Sequence, residues 1–82
     1  MEIKFSKAAI KALSGMSREE KQRIKTGIIG LPGGDVKPLK GNTRLYRLRV
    51  GNRRIVFSYP DKGTIYIEKI APRGDIYKGG LL

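Results

Sequence analysis

The sequence has 82 residues, with 18 Lys or Arg against 7 Asp or Glu, so its formal net charge at pH 7 is +11. It contains no His and no Cys. A chain of this length forms one domain with a small core, and we treat residues 1–82 as that domain. Without Cys or His, disulfides and Ser–His or Cys–His catalytic pairs are excluded, and a zinc site is nearly excluded. We therefore expect no metal and no cofactor.

The N-terminal region carries charges at Glu2, Lys4 and Lys7 and lacks the apolar run of a signal peptide. No stretch approaches the roughly 20 apolar residues of a membrane span. The sequence therefore predicts a soluble cytoplasmic domain that does not associate with membranes.

Basic residues are concentrated in the middle of the chain. Between Val36 and Pro60 there is no acidic residue and there are seven basic ones: Lys37, Lys40, Arg44, Arg47, Arg49, Arg53 and Arg54. A surface that serves only solubility usually intersperses both signs. The clustering favours a polyanionic partner, either nucleic acid or an acidic protein.

The first half of the chain predicts a strand followed by two helices. Glu2–Phe5 alternates apolar and polar residues, as a short strand does. Ser6 is a suitable cap for a first helix that ends near residue 13. Ser17 and Glu20 have the spacing of a capping box for a second helix, which a Pro-Gly-Gly run ends after residue 31.

The second half predicts a loop and three strands. The loop covers residues 35–42, and the strands are Thr43–Val50, Arg53–Tyr59 and Thr64–Ala71. The order β-α-α-β-β-β predicts an α+β fold in which two N-terminal helices pack on one face of a small antiparallel sheet. The other face of the sheet is then available for binding.

The turn Gly51–Asn52 predicts how the first two of these strands pair. With two loop residues, Leu48 lies opposite Ile55 and Tyr46 opposite Phe57. These apolar pairs belong to one face of the hairpin, and we expect that face to pack on the helices.

The other face of the same hairpin collects arginines. The register places Arg49 directly opposite Arg54, with Arg47 diagonally behind them. Like charges directly opposite each other destabilise a sheet by up to about 1 kcal/mol, so we interpret the group as an anion site. The alternative is structural neutralisation by Glu68 on the neighbouring strand, but one carboxylate compensates only one of three guanidiniums.

The element order resembles that of the RelE/ParE superfamily of toxins from toxin–antitoxin modules. The resemblance also rests on two segments, KPLKGNTRLYRLRVGNRRIVFSY at residues 37–59 and IEKIAPRGDIY at residues 67–77. It covers essentially the whole chain. It implies the RelE-like fold and, for the RelE-like branch, cleavage of messenger RNA in the ribosomal A site.

The resemblance also implies a set of catalytic residues: Arg47, Arg49, Arg54, Arg73 and Tyr77. The best-known RelE-like pattern has Lys at the positions of Arg47 and Arg49, and its tail is longer than the one here. Four further basic residues of the central segment are expected to bind RNA: Lys37, Lys40, Arg44 and Arg53. Arginine is a poor general base, so Tyr77 either handles a proton or only stacks or packs.

Three functions fit this sequence. The first is a metal-independent endoribonuclease toxin that acts on the ribosome by attack of a 2′-hydroxyl on the adjacent phosphate. The second is a ParE-like toxin that inhibits DNA gyrase without cleavage, and the third is a non-enzymatic basic RNA-binding domain. The resemblance implies the small ribosomal subunit, messenger RNA and an acidic antitoxin as partners.

Overall fold

The computed structural model describes residues 2–39 and 44–72, which form two helices and a five-stranded sheet. The elements are β1 (Glu2–Phe5), α1 (Lys7–Ser14), α2 (Arg18–Ile29), β2 (Asp35–Pro38), β3 (Tyr46–Val50), β4 (Arg53–Asp61) and β5 (Thr64–Pro72). Neither of these helices is both long and apolar enough to cross a membrane. The α+β class and the predicted element order are confirmed.

Both helices begin at the predicted serine caps. Ser6 Oγ accepts a hydrogen bond of 3.0 Å from the backbone N–H of Ala9, and Ser17 Oγ accepts one of 3.2 Å from that of Glu20. Each bond satisfies one of the backbone donors that have no partner inside the first turn. The caps therefore fix where α1 and α2 start.

The strand order across the sheet is β1-β5-β4-β3-β2. β3, β4 and β5 pair antiparallel, as predicted; β2 pairs antiparallel with β3, and β1 pairs parallel with β5 at one edge. The sheet is therefore mixed. A parallel pair is possible because β1 and β5 are not joined by a hairpin: both helices and the three strands β2, β3 and β4 lie between them in the chain.

One strand was not predicted. Residues 35–38, which the sequence places in a loop, form β2 and pair with β3 at the opposite edge. Asp35 and Pro38 have low strand propensity, but an edge strand tolerates a proline because one side of its backbone has no partner strand. β3 in turn starts at Tyr46 rather than near residue 43.

The main core lies between the helices and one face of the sheet. Ile24 and Ile28 of α2 are buried against Leu48, Ile55 and other apolar strand residues. A smaller apolar cluster of Leu39, Val56 and Ala71, with Leu45 packed against it, is part of the opposite face. Arg47, Arg49 and Arg54 of the hairpin belong to this opposite face, beside the smaller cluster.

Candidate nucleic-acid interface

The face of the sheet opposite the helices carries two rows of side chains that run across strands β2 to β5. We call this surface the arginine face. Its first row is Lys37, Arg47, Val56 and Lys69, and its second row is Asp35, Arg49, Arg54 and Ala71. Residues directly opposite each other in a sheet project to the same side, so the two rows form one surface.

The predicted hairpin register is the observed one. Arg49 pairs with Arg54, Leu48 with Ile55 and Tyr46 with Phe57. Gly51, the first loop residue, has a φ of 57°, a conformation that glycine adopts without steric cost. The turn therefore sets which side chains share the arginine face.

The guanidinium of Arg47 is buried and paired with an acid. Only 8% of the residue is exposed, and its NH2 lies 3.6 Å from Oδ1 of Asp35. This distance is that of an ion pair rather than a good hydrogen bond. The Asp35 side chain is half exposed and orients Arg47 through this ion pair. One carboxylate neutralises only one of the neighbouring cations, so the surface stays positive.

Arg49 and Arg54 face each other but differ in exposure. Arg54 is 9% exposed and held within the sheet surface, whereas Arg49 is exposed. Within residues 2–39 and 44–72, no ion pair neutralises Arg49. Of the three guanidiniums, that of Arg49 is therefore the one most open to an oxyanion, with the buried charges of Arg47 and Arg54 beside it.

Two lysines complete the first row. Lys37, a predicted RNA-binding residue, lies opposite Arg47 on β2. Lys69, which sequence analysis did not select, lies opposite Val56 on β5. The two rows together hold five cations (Lys37, Arg47, Arg49, Arg54 and Lys69) and one carboxylate, that of Asp35.

Arg53 is not brought to this surface. It lies opposite Val50 on the helix-bearing face, and its Nε and NH2 donate to Oε2 of Glu20 at 3.1 and 2.9 Å. Such a two-bond arrangement holds α2 to the start of β4. Its predicted contact with RNA stays a prediction, because its observed contact is with α2.

Of the four remaining predicted site residues, the structure describes one. Arg44 is exposed and borders a cleft at the end of the hairpin. Lys40, Arg73 and Tyr77 lie outside the described residues. In the part of the chain that the structure describes, no three acidic side chains group as metal ligands do.

Sequence analysis missed Asp35 and Lys69 for different reasons. Asp35 and Lys37 alternate with half-buried Val36, and this short period-two pattern was available as a strand signal. Lys69 reaches the face because the β4–β5 register shifts between Val56 and Phe57. A shift of this kind has no simple sequence signature.

The arrangement is suited to binding phosphate and to stabilising added negative charge on it. Arginine stays protonated at physiological pH and offers a planar fork of donors that matches two phosphate oxygens. Guanidiniums held by packing need little reorganisation when charge develops nearby. The described residues of the arginine face thus form a positively charged surface suited to phosphate.

The fold, two helices packed on one side of a mostly antiparallel sheet, matches solved structures of RelE toxins. The chain matches a RelB–RelE antitoxin–toxin complex from Methanococcus jannaschii with a TM-score of 0.72 and 30% identity, over 94% of this chain and 98% of that one. It matches an archaeal RelE–RelB complex from Pyrococcus horikoshii OT3 with a TM-score of 0.68 and 28% identity, over 89% and 94%.

The isolated RelE toxin of Escherichia coli matches with a TM-score of 0.73 over 98% of this chain and 94% of that one. Its sequence identity is 16%, so this match shows similarity of fold alone. By sequence, no family model and no curated protein matches the chain. On the archaeal matches, the chain belongs to the RelE-like toxin superfamily of toxin–antitoxin modules.

Proposed function

We propose that this chain is an endoribonuclease toxin that inhibits translation by cleaving messenger RNA in the ribosomal A site. The observation that carries the proposal is the pair Arg49 and Arg54, directly opposite each other, with Arg47 in the adjacent row. Like charges opposite each other cost stability, so a bound polyanion accounts for the arrangement better than folding does.

The reaction we propose uses the RNA's own 2′-hydroxyl as nucleophile. Its oxygen attacks the adjacent phosphorus, the bond from phosphorus to the 5′-oxygen breaks, and a 2′,3′-cyclic phosphate remains. The 2′-hydroxyl loses a proton to a base, and the departing 5′-oxygen gains one. The guanidiniums of Arg47, Arg49 and Arg54 would stabilise the charge that accumulates on the phosphate oxygens.

Arg73 and Tyr77 complete the proposed catalytic set. Arg73 would add a further positive charge, and Tyr77 would accept or relay the proton. With no strong general base, the reaction would depend on a substrate held in line for attack. This requirement supports the small ribosomal subunit, which holds the message, as the proposed partner.

We further propose an acidic antitoxin as the restraining partner. The archaeal proteins that this chain resembles were both crystallised as RelE–RelB complexes. A net charge of +11 on 82 residues favours fast capture of an acidic chain. An antitoxin bound to the basic surface would compete with RNA and ribosomes for it in the cytoplasm.

Transcript mapping by primer extension tests the proposal in cells that express the chain. We expect cuts in translated reading frames, in phase with codons, and none with Arg49→Ala. Lys25→Ala, which removes an exposed charge from α2, is the matched control and should leave the cuts in place. DNA damage without cuts would instead indicate gyrase inhibition, and the absence of both effects a binding protein without enzymatic activity.

A further inference from the structure

A third row of side chains extends the arginine face to the edge strand β1. Ser58 pairs with Tyr66 on β5, and Tyr66 pairs with Lys4 on β1. Ser58 is two residues after Val56 on β4, and the extra residue at the register shift belongs to β5, so the third row projects to the same side as the arginines. Two residues along a strand separate it from the first row by about 7 Å.

The burial of its neighbours in β5 shows independently which way Tyr66 projects. Ile65 and Ile67 are 2% and 0% exposed and belong to the main core between the sheet and the helices. Successive residues of a strand project to opposite faces, so the Tyr66 side chain projects away from the helices. Tyr66 itself is half-buried. It is therefore a large aromatic residue that the main core does not use.

Three other aromatic rings pack on one another on the helix-bearing face. The ring centroids of Tyr46, Phe57 and Tyr59 are 5.5 to 5.6 Å apart, and Phe57 is fully buried. No such ring contact involves Tyr66 in either of the two described ranges of the chain. Part of the Tyr66 ring is thus open to a flat ligand, on the same side of the sheet as the arginines.

The charges around Tyr66 are balanced, unlike those of the first two rows. Lys4 Nζ lies 3.8 Å from Oε1 of Glu2, and Glu68 Oε2 accepts a hydrogen bond of 3.2 Å from Ser58 Oγ. These two carboxylates offset the charge of Lys4, whereas the first two rows hold five cations and one carboxylate. A phosphate is therefore drawn to the arginines, and the third row suits a neutral planar group such as a nucleobase.

The separation between Tyr66 and the arginines suits a single strand of RNA. Tyr66 is one row and two strands away from Arg47, which corresponds to about 12 Å between their Cα atoms. Both side chains are long and project to the same side, so neighbouring nucleotides of one strand span the gap. Sheets that bind single-stranded RNA combine aromatic rings that stack on bases with cations that hold the backbone.

We propose that Tyr66 stacks on a base of the RNA strand whose phosphate binds at Arg47 and Arg49. The inference rests on the proposed ribonuclease function and adds to it a residue that binds the substrate. Stacking uses the flat face of a base and not its hydrogen-bonding edge. Tyr66 should therefore contribute affinity for every base, and most for the large ring of a purine.

Fluorescence anisotropy with the full chain, without ribosomes, tests the stacking separately from cleavage. The probes are labelled hexaadenylate and a base-free chain of six 1-deoxyribose phosphates, which has the same length and charge. We expect the parent chain to bind hexaadenylate about tenfold more tightly than the base-free chain. Tyr66→Ala should remove most of this difference by weakening hexaadenylate alone, and Tyr66→Phe should preserve it because the ring remains.

The matched control is Tyr59→Ala, which removes a 36% exposed tyrosine from the helix-bearing face. It should leave both affinities within about twofold of those of the parent. Thermal melting verifies that each variant is folded.

The dependence of binding on salt distinguishes stacking from a change in charge. Tyr66→Ala should weaken hexaadenylate without changing the slope of log affinity against log salt, because no phosphate contact is lost. Arg49→Ala should weaken both probes and reduce the magnitude of that slope by about 0.7.

NMR of the parent chain provides a measurement that does not depend on any variant. Stacking places the tyrosine ring under the ring current of the base. We expect hexaadenylate, but not the base-free chain, to shift the ring proton signals of Tyr66 upfield and to leave those of Tyr59 in place.

Three outcomes would overturn the inference. The first is equal weakening of the two probes by a folded Tyr66→Ala, and the second is a Tyr66 ring signal that saturating hexaadenylate does not move. The third is a larger shift of that signal with hexaglutamate, which would identify the third row as a contact for an acidic protein. A parent chain that shows the Tyr66 shift but cuts no message would disprove the ribonuclease function and leave the stacking site standing.

Discussion

The three arginines that share one face differ in what surrounds them. Arg47 is buried and paired with Asp35, Arg54 is buried, and Arg49 is exposed. Their predicted placement on one surface is confirmed. Their burial was not predictable, because it depends on the edge strand β2 and on the small apolar cluster of Leu39, Val56 and Ala71. Loss of each guanidinium should therefore have a different effect on stability.

We expect Arg49→Ala to reduce cleavage by about 10²–10³-fold with no loss of stability, since it removes a donor to the phosphate and a like-charge contact. Arg47→Ala should reduce cleavage similarly and also lower the free energy of unfolding by about 1–2 kcal/mol, because Asp35 loses its partner. Urea denaturation and single-turnover cleavage measure the two effects. Equal destabilisation by both variants would contradict this account of the arginine face.

Tyr77 is the residue proposed to transfer a proton. Removing its hydroxyl while keeping the ring distinguishes proton transfer from stacking or packing. If Tyr77 transfers a proton, Tyr77→Phe should slow single-turnover cleavage on ribosomes by about 10²–10⁴-fold and leave ribosome affinity unchanged. If the ring only stacks or packs, the variant should be within about threefold of the parent. The second result would exclude Tyr77 from proton transfer. Glu68, or the positioned substrate alone, would then have to account for the chemistry.

At the scale of elements, the hairpin of β3 and β4 was predicted correctly, and β2 was not. The hairpin could be predicted from the sequence because Gly51–Asn52 fixes a two-residue turn and the apolar alternation on both sides fixes the register. β2 has low strand propensity and is stabilised by pairing with β3, which is tertiary information. The contact between Arg53 and Glu20 is also long-range, 33 residues apart in sequence.

The packing of α2 on β3 depends on the absence of a side chain at Gly27. A Cβ at this position would lie 2.7 Å from Cγ2 of Val50, which is closer than packed carbons approach. Alanine favours helix formation over glycine by about 1 kcal/mol. Because Val50 is β-branched and stiff, we nevertheless expect Gly27→Ala to lower the free energy of unfolding by about 1 kcal/mol.

The matched background for this change is Val50→Ala, which removes the clashing methyl group. In that background Gly27→Ala should be neutral or stabilising by up to about 1 kcal/mol, since only the helix propensity remains. A thermodynamic cycle of the four proteins, measured by urea denaturation, gives the coupling between the two positions. A coupling near zero would show that α2 does not approach β3 at Gly27.

At the scale of the whole molecule, the charge is distributed unequally between the two sides. The arginine face holds five cations and one carboxylate, whereas α2 intersperses Glu19 and Glu20 with its basic residues. The excess of basic residues in the sequence predicted a polyanionic partner. The fold places a net four of the eleven excess positive charges, five cations less one carboxylate, on one surface opposite the helices.

Binding of single-stranded RNA should therefore weaken steeply with salt. With about four phosphate contacts, the logarithm of the affinity should fall with the logarithm of salt concentration at a slope of about −3. Lys37→Ala should reduce the magnitude of the slope by about 0.7, and Lys25→Ala on α2 should leave it unchanged. Fluorescence anisotropy with a labelled oligoribonucleotide measures these slopes, and equal effects of the two lysines would contradict a localised RNA surface.

The central proposal is that the arginine face promotes attack by the RNA's own 2′-hydroxyl on the adjacent phosphate, while the ribosome holds the message. The most direct test places a single deoxynucleotide immediately 5′ of the cut phosphate in a message stalled on purified ribosomes, with an all-ribose message as control. We predict that the ribose message is cut in the A site to leave a 2′,3′-cyclic phosphate or its 3′-phosphate product. The deoxy-substituted message should stay intact at that position. Undiminished cutting of the deoxy-substituted message would contradict the account, because it requires a nucleophile other than the missing hydroxyl.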